Sequence, residues 1–183
     1  MFPVGGVAVM LLGVVLAGAA SALVALALRG RTGRGWAWSV GLLLWSLACL
    51  AVITLIPADG APGIVYADEQ YYQGCSFDYG GPSPDGFWIF SGGQRLLNAV
   101  VFVPSGVLWV LVAGRWPRAL TWSVPLGLVL LAAYSAGIEA TQLVLARLDR
   151  ACDVTDVVDN VAGAAIGLGA GLLLLPLVRP WRR

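Results

Sequence analysis

The chain has 183 residues, of which 59% are hydrophobic and 11% charged, with a formal net charge of +1 and a mean hydropathy of +0.84. A soluble domain of this length needs far more polar surface to cover its core, so the composition excludes a soluble enzyme with a membrane tail. The net charge points to no partner class, and nothing in the pattern reads as nucleic-acid binding.

The apolar residues fall in five long blocks. Crossing a hydrocarbon core roughly 30 Å thick takes about 20 apolar residues in a helix, and each block is of that order. Residues 2–28 form the first, without a charge, and 36–57 the second. Residues 96–114 form the third, 119–146 the fourth, broken by Glu139, and 157–178 the fifth, with Asp159 near its start. Helices satisfy their own backbone in lipid, so the expectation is an all-α integral membrane bundle of about five transmembrane helices, a single membrane domain over 1–183. The first block has no basic residues before it and is long enough to span, which reads as a retained helix rather than a cleaved signal peptide.

Every basic residue is an arginine. Arg29, Arg31 and Arg34 follow the first block, Arg115 and Arg118 the third, and Arg179, Arg182 and Arg183 the fifth, whereas the second connection carries Asp59, Asp68, Glu69, Asp78 and Asp85. Basic residues in short loops mark the cytoplasmic side. This places the N-terminus outside and the C-terminus in the cytoplasm, with Trp36, Trp38, Trp116, Trp122 and Trp181 near the inner boundary.

On that topology the Gly-, Pro-, Asp- and Tyr-rich stretch 58–93 is an external loop. It is expected to be an exposed connector, with a lid over a site as the alternative. Cys75 and Cys152 both fall on the external side, where disulfides persist; a bridge between them is allowed but not favoured. With no CxxC pair and no His, no metal site is expected, and no cofactor motif occurs.

Ionisable and amide side chains inside spanning segments are costly and usually face a bundle interior or a wet cavity. The third segment opens with Arg95 and Asn98 and carries Pro104, a kink signal. The fourth has Ser135, Glu139 and Gln142 on one helical face. The fifth opens with Asp153, Asp156 and Asn160, followed on the same face by Gly163 and Gly167. Counting depth at 1.5 Å per residue brings these groups to one level under the outer surface. Arg147 and Arg150 hang at that level, and Arg150 is expected to pair with Glu139 or Asp156. The candidate binding residues are therefore Asn98, Ser135, Glu139, Gln142, Arg150, Asp153, Asp156 and Asn160.

These residues carry a family resemblance. Asn98, Phe102, Pro104 and Gly106 match N-x3-F-x-P-x-G; Glu139 and Gln142 match E-x2-Q; Arg150, Asp153, Asp156, Asn160, Gly163 and Gly167 match R-x2-D-x2-D-x3-N-x2-G-x3-G. In order and spacing they resemble the VanZ-like family of bacterial membrane proteins, over a core of about 95–171. The resemblance implies a cell-envelope membrane protein, with a link in the founding member to resistance against teicoplanin, a glycopeptide antibiotic.

Three functions compete. The first is a module that binds or modulates a polar envelope component, such as a lipid-linked precursor or a phospholipid headgroup; Arg suits carboxylate or phosphate. The second is a membrane enzyme acting on a lipid-linked substrate, with Glu139 and Asp156 as acid and base. The third is a small transporter or lipid-flipping unit, for which no inverted repeat is legible. The first is favoured, since no His and no evident nucleophile accompany the carboxylates.

Overall fold

The computed structural model describes residues 5–56, 74–79, 93–145 and 152–178. Its elements are α1 (Val7–Thr32), α2 (Arg34–Leu55), α3 (Gly93–Ala113), a single 3-10 turn (Pro117–Ala119), α4 (Leu120–Leu145) and α5 (Val154–Val178). Among the described residues these five helices are each long and apolar enough to cross a membrane, and there is no strand beyond one isolated bridge. The chain is thus an all-α multi-pass membrane bundle.

Successive helices alternate in direction. Gly33, at φ 88° and ψ 149°, turns α1 into α2 without a connecting loop, in a conformation that favours a residue without Cβ. The helix α3 continues through Pro104 to Ala113, the proline lying on its exposed side.

The tightest packing is between α3 and α5, which run in the same direction. Helices in lipid gain nothing from hiding apolar surface, since lipid is equally apolar, so they associate through close packing and polar contacts. Here glycines supply the close packing. A Cβ at Gly163 would fall on the Ala99 carbonyl, one at Gly167 on the Val103 carbonyl, and one at Gly106 on the Ala164 carbonyl. α4 covers this pair with a stripe of Leu131, Ser135, Ile138, Glu139 and Gln142, all buried. Phe102, Leu131, Ile138, Ala164 and Leu50 form the apolar centre. α2 closes the bundle through Ser46 against Ser105 (3.1 Å) and through the Tyr134 hydroxyl donating to the Leu47 carbonyl (2.6 Å). α1 packs on α2 and buries little beyond Ser21 and Ala25.

The two ends of the bundle differ. One carries the α1–α2 and α3–α4 turns with Arg29, Arg31, Arg34, Arg115 and Arg118; it is called the arginine end. The opposite one, the disulfide end, is where α3 and α5 begin and where Cys75 and Cys152 are bonded, with Cα atoms 4.5 Å apart. The bridge, not favoured from sequence, is therefore formed. Local pairing explains it. The Ser76 amide donates to the Cys152 carbonyl (2.8 Å) and the Val154 amide to the Ser76 carbonyl (3.0 Å), which lays residues 75–76 alongside 152–153.

Candidate functional site

The first turns of α3 and α5 meet at the disulfide end, and their polar residues pair across the interface. Arg95 and Asp159 form a bidentate ion pair, Nε to Oδ2 at 2.8 Å and Nη2 to Oδ1 at 2.7 Å, with side-chain exposures of 2% and 0%. Near-complete burial means water cannot solvate either charge, so each depends on the other; lone burial of such groups costs several kcal/mol per ion in general. Tyr79, from the connection between α2 and α3, lies over this pair. Its hydroxyl accepts from Arg95 Nη2 (2.8 Å), and the guanidinium carbon stands 4.9 Å from its ring centroid. The described part of the second connection is thus folded onto the polar end, tied there by the disulfide and the Ser76 pairing, and is not merely an exposed connector.

One turn along, Asn98 Nδ2 donates to Asp156 Oδ1 at 2.7 Å, a second link between α3 and α5. Asp153 caps α5, its Oδ1 accepting from the Thr155 amide (2.8 Å), which satisfies one of the donors left open at a helix start. The Asp153 amide in turn donates to Glu139 Oε2 (3.3 Å), so α4 reaches the same helix start. Deeper, buried Asn160 donates through Nδ2 to Ser135 Oγ (2.9 Å). Gln142 departs from the group: it faces α2 and donates to the Thr54 carbonyl at 2.9 Å.

Of the residues singled out from sequence, Asn98, Ser135, Glu139, Asp153, Asp156 and Asn160 come together at the disulfide end of α3, α4 and α5. Gln142 is buried at the same end of α4 but turned to α2. Glu139 is 4% exposed, so it faces the bundle and not lipid. Arg147 and Arg150, and with them the expected Arg150 pairing, lie outside the described residues. The described cation at this level is Arg95, and its partner is Asp159. Neither was among the candidate residues, although both stand out as charges in apolar segments. The missing signal was register: Arg95 is the third residue of α3 and Asp159 the sixth of α5, so in parallel helices starting at one level their depths differ by only about 4–5 Å at 1.5 Å per residue.

Chemically the site offers four carboxylates (Glu139, Asp153, Asp156, Asp159), three amides or hydroxyls (Asn98, Ser135, Asn160) and one guanidinium within the ends of three helices. Such a set can hold a polar group through hydrogen bonds, and it can order the helices themselves.

Comparison with curated proteins and with solved structures finds no significant match. A family model described as VanZ/LLP1 matches residues 43–175. The match begins inside α2, well ahead of the segment that carries the motifs, and takes in every residue of the polar cluster. It covers most of the chain, and the chain belongs to the VanZ-like family.

Proposed function

We propose that this VanZ-like protein binds or modulates a polar component of the bacterial cell envelope, such as a phospholipid headgroup or lipid-linked precursor, at the polar cluster where α3, α4 and α5 meet. The observation that carries the reading is the concentration of buried polar side chains there: Arg95, Ser135, Glu139, Thr155, Asp159 and Asn160 are all buried and all at one end. Locking three helices takes one or two polar contacts, each with a modest gain in lipid; this number exceeds that need.

The disulfide end faces outward in this reading. Two independent arguments agree. The arginine end is the cytoplasmic one by the distribution of basic residues in short loops, and the Cys75–Cys152 bridge stands at the opposite end, where an oxidising compartment would keep it. The link of the family's founding member to teicoplanin resistance supports a bound component drawn from cell-envelope materials.

The test compares Asn160→Ala and Glu139→Gln with the wild-type chain, measuring two quantities: protein accumulated in the membrane and teicoplanin susceptibility of a bacterium expressing it. Lipids co-purified in mild detergent give a direct binding readout. A binding site predicts loss of the phenotype and of the co-purified lipid at unchanged protein level. Loss in proportion to protein level in both variants would reject the site and leave the cluster as helix packing.

A further inference from the structure

Charge at the arginine end is one-sided. Arg29, Arg31, Arg34, Arg115 and Arg118 are all exposed, and none has an acidic partner among the described residues. The sequence has no Asp or Glu before residue 59 and none from 86 to 138, so neither turn, nor the helices leading into them, can supply a counter-charge.

One of these cations, Arg115, is also built into a fixed seat. Arg115 Nη1 donates to the Thr32 carbonyl at the end of α1 (2.5 Å). Its guanidinium carbon lies 5.1 Å from the Trp36 ring centroid and 5.9 Å from that of Trp116. The two indoles meet edge to face at 5.8 Å, and Trp36 Nε1 donates to the Val112 carbonyl at 3.0 Å. The α1–α2 turn and the α3–α4 turn are thereby docked. Arg34 stands two residues from one side of the latch and Arg118 three from the other.

We propose that this seat, Arg115 with Arg34 and Arg118 beside Trp36 and Trp116, binds the phosphate of an anionic glycerophospholipid in the facing leaflet. The arginine fork matches phosphate geometry, and cationic side chains at a membrane surface attract anionic lipid. The source is lipid rather than dissolved anion because of where the seat lies. It sits at the ends of membrane-spanning helices, level with indoles that are 52% (Trp116) and 80% (Trp122) exposed, and exposed indoles at span ends belong in the headgroup layer. A phosphate there arrives on a lipid whose acyl chains run along the apolar flanks below.

The experiment reconstitutes the full chain in nanodiscs of phosphatidylcholine containing a minority of phosphatidylglycerol, then reads by native mass spectrometry which lipids stay bound on release. The wild-type chain is expected to retain phosphatidylglycerol in large excess over its share. The variant Arg34→Gln/Arg118→Gln keeps the Arg115 latch, and its enrichment should fall about thirtyfold, two arginines at roughly fivefold each near a membrane surface. Helix content by circular dichroism verifies the fold; if the double variant does not fold, Arg118→Gln alone, on an exposed turn, should lower enrichment severalfold. Arg115→Lys keeps the charge and loses the fork, and should also lower retention. Wild-type enrichment in Arg118→Gln overturns the proposal. Unchanged retention in Arg115→Lys would mean diffuse surface charge and no built seat. Displacement of the bound lipid by millimolar inorganic phosphate would assign the seat to a free anion and overturn the lipid assignment.

Discussion

Replacing Asp159 by asparagine preserves the shape of the side chain but removes its charge and turns one acceptor into a donor. Arg95 offers Nε and Nη2 to the two oxygens of Asp159 at 2.8 and 2.7 Å; in the variant one of those donors faces an NH2 group. The pair is sealed from solvent, at 2% and 0% exposure, so the stranded guanidinium cannot recover its loss from water. Two charge-assisted hydrogen bonds at about 1.5–3 kcal/mol each agree with the roughly 3–5 kcal/mol observed when one member of a buried pair is removed. For a chain of this length that corresponds to a fall in midpoint of about 6–20 °C by the usual scaling. The assay is the fraction of monodisperse protein left in detergent after heating, measured for Asp159→Asn, Arg95→Met and Arg95→Met/Asp159→Leu. Each single variant should lose most of the stability, and the double variant should recover much of it, because an apolar pair leaves no buried charge. If the singles stay within about 1 kcal/mol of wild type, or if their effects add in the double variant, the pair is not the coupled unit described above.

The other expectations are briefer. Gly163→Val should push α3 from α5, because its Cβ would fall on the Ala99 carbonyl, whereas Gly169→Ala, with nothing within 4 Å of its Cβ, should be neutral in the same heating assay; equal behaviour of the two would contradict the close approach. Cys75→Ser should lower stability by about 2–4 kcal/mol, as removal of long-range bridges usually does, and wild-type protein should migrate faster without reductant than with it. Identical mobility in both conditions would show that no bridge forms. Reporter fusions at Arg34 and Arg183 should give cytoplasmic signals and a fusion at Gly80 an external one; a cytoplasmic signal at Gly80 would overturn the orientation.

Much of this protein was legible without coordinates, for one physical reason: lipid demands that each spanning segment be an apolar helix, so block length and composition alone mark where the helices run. The five blocks coincide with α1 to α5 to within a few residues at most ends. The i, i+4, i+7 spacing of Ser135, Glu139 and Gln142 put them on one inward face, as found, because helical period is a local property of the chain. The motifs around Asn98, Glu139 and Asn160 likewise identified the family. What local spacing could not decide was partnership across helices. Arg95 meets Asp159 because α3 and α5 start at one level and glycines bring their backbones together; Gln142 turns to α2 because the stripe of α4 is wide enough to face two neighbours. Cys75 and Cys152 are 77 residues apart in sequence, and only the pairing of Ser76 with Asp153 brings them into bonding range. Each of these depends on relative helix depth and rotation, which follow from packing between segments and leave no trace in the period of any one of them.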